Sequence, residues 1–407
     1  MRNCGGAVIP MQQALDNVQF LVGSKSQLDE IRNVPALPVF SPRMIKFFSA
    51  LSNAILKDNR SRDFTHVTAY AYWIRRASLE KERLAREEII DSRLGRGIVF
   101  HIAPSNIPLA FAMSFTIASM AGNVNIVRIS SRQFTEVEIV CDAMKALLDK
   151  DYQDLQNYFF IMRYPHDDET TKFFSALCDV RVIWGGDETI NTIRRIPIPL
   201  RTVEFTFADR HSIALIQSEK YLELNASEVA KKFYADTYDV DQNACSSPRA
   251  VIWIGKSAGE AKKIFWESIG NLVHNRYEMP PIQAIEKFSA ACMVGMKKTN
   301  VRLIPNDNFI TLIEVDSLQD DLTDLKPGGG YFVEYTAENL AEIVPLLNKQ
   351  CQTLAVIGFE PKKLREWIIS MGLRGVDRIV EFGETMRLDF VWDGFDLIRE
   401  MSRYIEA

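Results

Sequence analysis

The stretch Gly95–Arg128 reads GRGIVFHIAPSNIPLAFAMSFTIASMAGNVNIVR. Two short apolar runs within it, Ile98–Ile102 and Val124–Arg128, are rich in β-branched residues and predict strands. Between them, Asn106 marks a polar turn and the apolar run Leu109–Met120 predicts a helix. A strand, a helix and a second strand in this order form a βαβ unit, which requires a parallel sheet with helices packed on it.

The same alternation of strand-like and helical runs continues along the rest of the chain. Further strands are predicted at 158–162, 180–184, 201–207, 212–216 and 250–254, within 301–315, and at 331–334 and 353–357. Helices are predicted near 136–148, 168–177, 188–195, 227–238, 259–275, 281–296 and 337–347. We therefore predict an α/β fold with two parallel-sheet domains.

Both ends of the chain depart from this pattern. Residues 1–94 are predicted to be mostly helical, with one helix capped by Ser41-Pro42 and a second over Phe64–Ile90. The tail is predicted to hold a strand over Met386–Val391, a turn at Trp392-Asp393-Gly394 and a short amphipathic helix. An apolar strand so far from any chemical motif favours association between subunits, so we expect a homo-oligomer.

The composition is typical of a soluble protein with two or three domains. The chain has 407 residues, of which 47% are hydrophobic and 25% are charged. The formal net charge is −5 and no block of basic residues occurs, which argues against nucleic acid as a partner. Gly97–Val127 contains no charged residue and is long enough to span a bilayer, but prolines and asparagines interrupt it. A strand, a turn and a buried helix explain this segment better, so we predict no transmembrane span.

The cysteines indicate a reducing environment. They are scattered, without a C-x-x-C pair or a histidine at metal-ligand spacing, so we predict neither a metal site nor a disulfide framework. Thiols of this kind fit the cytoplasm. Residues 1–11 lack a basic region followed by a long apolar run, so we expect no signal peptide. The six cysteines are Cys4, Cys141, Cys178, Cys245, Cys292 and Cys351.

Cys245 lies in the polar stretch Asp241–Arg249, which reads DQNACSSPR and precedes the apolar run Ala250–Gly255. A helix is predicted before this loop and a core strand after it. The neighbours of Cys245 are small, so another molecule is able to approach the sulfur. No charged side chain lies within three residues, so activation of the thiol must come from helix ends or from groups distant in sequence. The alternative is a small buried hydrophobic residue, the usual role of a cysteine.

The loop sequence QNACSSPR resembles the nucleophile loop of the aldehyde dehydrogenase superfamily. More narrowly, it resembles that of the LuxC-like acyl-CoA reductases, which belong to the fatty acid reductase complex of bacterial luminescence. Further segments agree with this family in the same chain order, across about residues 95–400. They are Ala103–Pro108, Gly122-Asn123, Trp184–Gly186, Asp209–Ser212, Gln352-Thr353 and Trp392–Gly394.

This resemblance implies an aldehyde dehydrogenase-like α/β fold. It comprises a Rossmann-like cofactor domain, a catalytic domain and a small oligomerisation element. The cofactor domain would cover residues 1–210, including an N-terminal cover, together with a C-terminal oligomerisation tail from about 380 to 407. The catalytic domain would cover residues 211–379 and carry the nucleophilic Cys245.

Asn106 lies at the predicted strand-to-helix turn, which is where open α/β sheets bind ligands. Its amide is able to donate a hydrogen bond to a developing oxyanion without titrating. The alternative is a helix N-cap, a common position for asparagine. In the family, the matching asparagine forms the oxyanion hole with the backbone N–H of the catalytic cysteine. The resemblance therefore assigns these two roles to Asn106 and Cys245.

The resemblance places the adenosine ribose of the cofactor at the turn that follows Arg128. Aldehyde dehydrogenases carry a lysine and a glutamate there. This chain has Arg128 in place of the lysine and Ser131 in place of the glutamate, with Ser130 and Arg132 beside them. Guanidinium groups and hydroxyls bind a 2′-phosphate, which a carboxylate would repel. We therefore expect NADPH as the cofactor; the alternative is a solvated basic turn.

A second turn, at Trp184–Thr189, resembles the one that receives the pyrophosphate of the cofactor. Gly185 and Gly186 allow close approach of the backbone, and the N-terminus of the helix that contains Thr189 attracts anions. The acidic residues Asp187 and Glu188 weaken this assignment, because they are able to satisfy the helix end themselves.

Glu204 is a further candidate for catalysis. It would correspond to the glutamate that activates water in hydrolytic aldehyde dehydrogenases. Arg210–Ser212 matches the end of that motif, which puts Glu204 about three residues too early and Phe207 at the expected place, and the double glycine is missing. The alternatives are a structural strand residue for Glu204 and a structural role for His211. A reductase needs no water-activating base.

These residues lead to the hypothesis of an NADPH-dependent acyl-CoA reductase. This oxidoreductase would convert a fatty acyl thioester into the fatty aldehyde through an acyl-cysteine at Cys245. The donor would be acyl-CoA or an acyl-protein thioester, with an acyl-protein ligase as a further partner. One alternative is oxidation of aldehydes to acids on the same scaffold. Another is a non-catalytic acyl-binding subunit of a lipid or polysaccharide assembly.

Overall fold

The structure is a computed structural model that describes residues 14–165, 167–297, 301–304, 307–318 and 327–407. The expectations for Cys4 and for residues 1–11 lie outside these ranges. The chain forms two compact units. The first unit comprises Met1–Ala208 and Leu388–Ala407, and the second comprises Asp209–Arg387.

Strands and helices alternate along most of the chain. The strands are β1 (Gln19–Val22), β2 (Arg93–Gly95), β3 (Ile98–Ile102), β4 (Val124–Ile129), β5 (Phe159–Arg163), β6 (Val180–Trp184), β7 (Val203–Phe207), β8 (His211–Gln217), β9 (Pro248–Ile254), β10 (Val301–Ile304), β11 (Thr311–Val315), β12 (Tyr331–Ala337), β13 (Cys351–Ile357), β14 (Arg378–Glu381), β15 (Val391–Trp392), β16 (Phe395–Asp396) and β17 (Ser402–Tyr404). The α-helices are Lys25–Leu28, Pro42–Lys57, Thr65–Trp73, Arg76–Leu84, Glu87–Ile90, Ala110–Met120, Thr135–Leu148, Asp168–Leu177, Asp187–Arg194, Ser218–Leu222, Ala226–Asp236, Ala258–Arg276, Pro281–Lys297, Pro361–Ser370 and Leu397–Glu400. Short 3-10 segments occupy Ile31–Asn33, Asn59–Asp63, Gln153–Tyr158, Tyr238–Val240 and Leu340–Leu346.

The first unit contains a six-stranded sheet with the order β1-β5-β4-β3-β6-β7. Neighbouring strands are parallel except β1, which runs antiparallel to β5. The order reverses at β3, because β4 and β5 lie on one side of it and β6 and β7 on the other. In an open α/β sheet, the loops that leave the carboxyl ends of the strands at such a reversal create a crevice for a ligand.

The helix between β3 and β4, Ala110–Met120, lies inside the first unit. Ten of its 11 residues are buried, which explains its continuous apolar sequence. His101 on β3 is fully buried next to it and makes hydrogen bonds to Ser114 Oγ (2.8 Å) and Asn125 Oδ1 (3.1 Å). The Trp184 indole donates to the same hydroxyl at 3.2 Å and so anchors the end of β6. Over the described residues, no helix is long and apolar enough to cross a membrane.

The second unit contains a seven-stranded sheet with the order β10-β11-β12-β9-β8-β13-β14. Only the β10–β11 pair is antiparallel among the pairs of this sheet that the structure describes. Register shifts occur between Ser212 and Ile213 where β8 pairs with β9, and between Cys351 and Leu354 where β13 pairs with β8. Both irregularities lie at the amino ends of the strands. The prediction of an α/β fold with two parallel sheets is confirmed.

The single helix predicted over Phe64–Ile90 is wrong, because three short helices replace it. Val67 and Tyr70 form one buried stripe, but a continuous helix would turn Leu79 about a third of a turn away from that stripe. The extended backbone of Arg75 breaks the helix and allows Leu79 to be buried as well.

The helix predicted over 337–347 is also wrong. Ala337 ends strand β12, and Leu340–Leu346 is a 3-10 segment with Pro345 inside it. Proline has no N–H to donate, and its ring clashes with the preceding turn of an α-helix. The segment therefore does not continue as an α-helix.

The strand predicted over Met386–Val391 is wrong for all of these residues except Val391, which begins β15. The Asp389 carboxylate accepts a hydrogen bond from the backbone N–H of Phe390 at 2.7 Å, a local turn contact that competes with strand pairing. β15 and β16 instead form a hairpin around the predicted turn, where Asp393 and Gly394 both have positive φ (48° and 78°). β17 pairs with β2 of the same chain. The strands of the tail thus pair within the chain, so the reason given for association between subunits no longer holds. The homo-oligomer stays a prediction.

Candidate active site

Cys245 lies in the second unit, between the 3-10 segment Tyr238–Val240 and the amino end of β9. Its side chain is half-buried. The backbone before it is left-handed at Asp241 (φ 51°) and Gln242 (φ 57°). Residues with a side chain adopt this conformation at a cost of roughly 1–3 kcal/mol, so other contacts must hold the turn.

The Gln242 side chain supplies those contacts. It is fully buried, and its Nε2 donates to the carbonyl oxygens of Pro248 (2.8 Å) and Tyr331 (3.0 Å). Its Oε1 accepts from the backbone N–H groups of Gly330 (3.0 Å) and Tyr331 (3.1 Å). One amide thus joins the loop of Cys245 to the amino ends of β9 and β12.

A second layer of contacts holds the same loop. Arg249 donates to the carbonyl oxygens of Gln242 and Pro327, the latter at 2.8 Å. Burial lowers the pKa of Arg249 to about 10, and its interaction with Cys245 opposes that shift. The Asp241 carboxylate accepts from the Tyr277 hydroxyl at 2.7 Å. The loop is therefore fixed on both sides of the cysteine.

The side chains of Ser212 and Gln352 contact Cys245 directly. Ser212 Oγ donates to the carbonyl oxygen of Cys245 at 2.7 Å. Gln352 Nε2 donates to the Cys245 sulfur at 3.2 Å. Thr353 Oγ1 in turn donates to Gln352 Oε1 at 3.2 Å. Both Gln352 and Thr353 are buried at the start of β13.

A loop from later in the chain adjoins the residue that follows Cys245. Ser246 Oγ donates to the Met386 sulfur at 3.5 Å. Residues 383–385, which precede Met386, are held by the buried Asp236 carboxylate. This carboxylate accepts hydrogen bonds from Gly383 N (2.7 Å), Thr385 N (3.0 Å) and Thr385 Oγ1 (2.8 Å). Burial raises the pKa of Asp236 to about 6.

The buried cysteines of the described part are poorer nucleophile candidates than Cys245. Burial raises the pKa of Cys141, Cys178 and Cys351 to about 12, which keeps these thiols protonated. Cys292 is exposed on the helix Pro281–Lys297. Within the described ranges, no group of three or more His, Cys, Asp or Glu side chains is placed to hold a metal ion.

Asn106 belongs to the first unit and is exposed in the turn after β3. The following helix begins at Ala110, and its N-cap position is Leu109. The alternative interpretation of Asn106 as a helix cap is therefore wrong. The structure places Asn106 and Cys245 in different units, so its oxyanion role stays a prediction.

The residues predicted to bind the adenosine ribose lie at the carboxyl end of β4. The Arg128 guanidinium carbon is 4.9 Å from the centre of the Tyr164 ring. Its buried Nε has no hydrogen-bond partner within the described part of the chain. Ser130 Oγ accepts from the backbone N–H of Arg132 at 3.2 Å, and both Ser131 and Arg132 are exposed. This donor set fits a phosphate ester, which accepts several hydrogen bonds and carries negative charge.

The predicted pyrophosphate turn follows β6. Gly186 is the N-cap residue of the helix Asp187–Arg194, and Thr189 lies exposed in that helix. A Cβ atom at Gly185 would lie 3.3 Å from Thr189 Cγ2, a tight contact. Because β4, β3 and β6 are neighbours, this turn shares the carboxyl edge of the sheet with Asn106 and the Arg128 turn. The two exposed acidic residues that begin the helix oppose an anion at this end.

Glu204 does not lie in a position suited to catalysis. Its Oε2 accepts from Arg181 Nε at 2.6 Å, and its Oε1 accepts from Arg194 Nε at 2.8 Å. Glu204 lies on the edge strand β7 of the first unit, and both of its carboxylate oxygens are engaged by guanidinium groups, from Arg181 on β6 and from Arg194 in the helix that follows β6. These ion pairs favour the structural alternative for Glu204, and a catalytic role for this residue stays a prediction. His211 is buried at the start of β8, where its backbone N–H donates to Gln350 O at 2.9 Å.

Sequence reasoning missed the supporting side chains of the Cys245 loop. Gln352 was noted only because the segment Gln352-Thr353 resembles the family. A usable signal was its place in the apolar strand β13, because a buried glutamine needs hydrogen-bond partners for its amide. Gln242 carries a weaker signal, since its position in a polar loop is compatible with exposure. The role of Ser212 depends on the register of β8 and β9, which the sequence does not show.

Comparison with known proteins supports this placement of the fold. The chain is similar to lactaldehyde dehydrogenase, with 12% identity and a TM-score of 0.63 over 92% of this chain and 85% of that one. It is similar to aldehyde dehydrogenase 21 from Physcomitrella patens, in complex with the reaction product succinate, with 12% identity and a TM-score of 0.65 over 93% and 87% of the two chains. For an NAD-dependent benzaldehyde dehydrogenase from Corynebacterium glutamicum, the identity is 12% and the TM-score 0.61, over 94% and 87%. The chain thus has the fold of the aldehyde dehydrogenases.

Within that class, the sequence identifies a narrower group. Residues 9–303, more than half of the chain, match the family described as acyl-CoA reductase (LuxC). The protein belongs to this LuxC acyl-CoA reductase family and is thus an aldehyde-related oxidoreductase. No curated protein matches the chain.

The Gln242 amide should be a main source of stability for the Cys245 loop. Gln242→Leu keeps a similar volume but leaves up to four buried backbone groups without a partner. Because each such group costs roughly 1–3 kcal/mol, the free energy of unfolding should fall by roughly 4 kcal/mol or more in urea titrations. Gln350→Leu, at an exposed glutamine of the same unit, is the control and should change it little. Equal stability of the two variants would contradict the assignment.

Proposed function

We propose that this protein reduces a fatty acyl thioester to the fatty aldehyde, with NADPH as the cofactor and an acyl-cysteine on Cys245 as the intermediate. The observation that carries the proposal is the state of Cys245. This residue is only half-buried, its sulfur accepts a hydrogen bond from an N–H group, and its loop is fixed at the edge of a parallel sheet. Cys141, Cys178 and Cys351 are buried instead. The family match supplies the acyl thioester as the substrate class.

The first step is an acyl transfer to the protein. The Cys245 thiolate attacks the carbonyl carbon, a new S–C bond forms, and the C–S bond of the substrate breaks to release the thiol of CoA or of an acyl-carrying protein. The Asn106 amide and the backbone N–H of Cys245 would donate to the oxyanion during this step. The fixed loop keeps the sulfur and the backbone N–H in a constant relation, so little reorganisation is needed.

The cofactor would bind at the carboxyl edge of the first sheet. When bound, NADPH supplies the hydride that converts the acyl group to the aldehyde. Arg128, Ser131 and Arg132 would hold its 2′-phosphate, and the turn at Gly185-Gly186 would lie at its pyrophosphate, with Thr189 and Ser130 beside these groups. The relatives of known structure support a nicotinamide cofactor, since one of them is described as NAD-dependent. The first unit would thus be the cofactor domain and the second the catalytic domain.

Aldehyde oxidation is the less suitable alternative. That reaction needs a base to activate water, and both oxygens of Glu204 are engaged by arginines. The reductive reaction needs no such base, because hydride rather than water resolves the acyl-cysteine. The donor (acyl-CoA or acyl-protein) and an acyl-protein ligase partner belong to this proposal as expectations from the family. The cytoplasmic location and the homo-oligomeric state belong to it as expectations from the sequence.

Cys245 should become acylated in the absence of NADPH. Incubation with radiolabelled acyl-CoA should attach label to the protein, and hydroxylamine should remove it because the bond is a thioester. Cys245→Ser should abolish the hydroxylamine-sensitive label and the reductase activity, since a serine hydroxyl is far less acidic than a thiol.

Cys292→Ser is the matched control, because Cys292 is the other accessible cysteine of the described part. It should retain both label and activity. If Cys245→Ser keeps a hydroxylamine-sensitive label together with full activity, the assigned nucleophile is wrong.

The protein should bind NADPH more tightly than NADH, and Arg132 should contribute to the difference. A charge-assisted hydrogen bond to phosphate contributes on the order of 1.5–3 kcal/mol, so Arg132→Ala should raise the Kd for NADPH by roughly tenfold or more. The Kd for NADH should change little, because NADH lacks the 2′-phosphate. Ser131→Glu should narrow the preference further through repulsion of that phosphate.

Both dissociation constants are measured by fluorescence quenching at fixed ionic strength, since salt screens the exposed charges. Arg194→Ala is a useful control, because this arginine lies in the same unit but pairs with Glu204. Equal losses for the two nucleotides in Arg132→Ala, or tighter binding of NADH by the wild type, would refute the phosphate site.

A further inference from the structure

The Cys245 sulfur must be a thiolate to attack a thioester, because the neutral thiol is a poor nucleophile. A cysteine in water has a pKa of about 8.5, so most of its thiol is protonated at neutral pH. The sequence offers no charged side chain within three residues of Cys245. The activating group must therefore be distant from Cys245 in sequence.

The Gln352 amide donates a hydrogen bond to this sulfur. Nε2 lies 3.2 Å from Cys245 Sγ, although 107 residues separate the two along the chain. Gln352 is 2% exposed, so water competes little for its amide. The Thr353 hydroxyl donates to Oε1 of the same amide, which keeps the NH2 group directed at the sulfur.

A β-bulge in β13 accompanies this contact. Cys351 pairs with His211 and Leu354 with Ile213, so β13 uses three residues where β8 uses two. Gln352 and Thr353 lie within this bulge. Bulges redirect side chains at the ends of strands and occur next to active sites. In a regular β-ladder, successive side chains point to alternate faces of the sheet, and this alternation would set the direction of the Gln352 side chain. The bulge relaxes that constraint and allows the side chain to reach the loop of Cys245.

The charged groups around the sulfur do not replace this amide. Arg249 on β9 interacts with Cys245, but its guanidinium group donates to two backbone carbonyls. Beside β13, Arg210 pairs with Asp377 and donates to Cys351 O at 2.8 Å. Asp236 is occupied by the 383–385 segment. Arg249 thus adds a positive field, while Gln352 contacts the sulfur itself.

We propose that Gln352 is a catalytic residue that stabilises the Cys245 thiolate through an N–H···S hydrogen bond. A hydrogen bond donated to the charged form of an acid favours that form, so Gln352 lowers the pKa of the thiol. A neutral amide does not itself titrate, and the thiol therefore ionises in a single step. The catalytic role of this hydrogen bond rests on the proposed acyl transfer, whereas its effect on the ionisation of the Cys245 thiol does not.

The test measures alkylation of Cys245 by iodoacetamide from about pH 5 to about pH 10, because only the thiolate reacts. Mass spectrometry quantifies the modified Cys245 peptide in the full-length protein. Gln352→Leu removes the donor at similar volume. Gln352→Glu keeps the shape but replaces the NH2 group with a carboxylate oxygen. Gln350→Leu is the control, because this glutamine is exposed just before β13.

The wild type should show one apparent pKa, and Gln352→Leu should raise it by on the order of one unit, a tenfold loss of thiolate at neutral pH. Gln352→Glu should raise it further through repulsion between two negative groups. Gln350→Leu should match the wild type. Should Gln352→Leu fail to fold, as judged by circular dichroism, the isosteric Gln352→Glu decides the question.

Unchanged alkylation profiles in the folded Gln352 variants, or a lower apparent pKa in Gln352→Glu, would overturn the proposal. The same variants distinguish it from the proposed function. If the wild type is never acylated by acyl-CoA while the pKa still rises in the variants, the reaction is wrong and the role of Gln352 in ionising the thiol stands. If acylation occurs and the profiles do not change, Gln352 is structural. With both correct, acylation of Gln352→Leu should fall about tenfold near neutral pH and recover at alkaline pH.

Discussion

The loop of Cys245 depends on side chains that satisfy backbone groups where parallel strands begin. At the amino ends of β9 and β12 the regular ladder stops, and buried N–H and C=O groups need other partners. The Gln242 amide satisfies four of these contacts, while Arg249 and Ser212 satisfy further carbonyls. These bonds also hold the left-handed backbone that precedes the cysteine. Stability of the sheet edge and the position of Cys245 therefore have the same cause.

The location of Cys245 explains why it needs a donor such as Gln352. In a parallel α/β sheet, each helix runs antiparallel to the strands, so its C-terminus lies near the amino end of the next strand. The helix Ala226–Asp236 ends shortly before the Cys245 loop in this way. Helix C-termini carry partial negative charge and disfavour a thiolate. The N–H of Gln352 and the positive charge of Arg249 act against this field. In the first unit, the turns at Arg128 and Gly185 instead lie at the carboxyl edge, where helix N-termini favour anions.

The sequence was sufficient to predict the parallel sheets, because buried parallel strands form continuous apolar runs that alternate with helices. It also predicted the loop position of Cys245 and the turn around Asp393-Gly394. It failed where tertiary packing decides the backbone, as in the break at Arg75. It also failed over 337–347, where Pro345 is a local signal against an α-helix. It failed again at Gln352, because contact with Cys245 depends on a bulge between β13 and β8 and on a separation of 107 residues. For Glu204 the sequence left a catalytic and a structural role open, because its two arginine partners become neighbours only in the folded unit.

The products of the reaction distinguish thioester reduction from the alternatives most directly. The protein is mixed with NADPH and a saturated long-chain acyl-CoA, and the fatty aldehyde, free CoA and oxidised cofactor are quantified over time. The account predicts that the three products form in equal amounts and that Cys245→Ala forms none of them, because acyl transfer to the sulfur precedes reduction. Formation of the fatty acid instead of the aldehyde, or undiminished aldehyde production by Cys245→Ala, would contradict it.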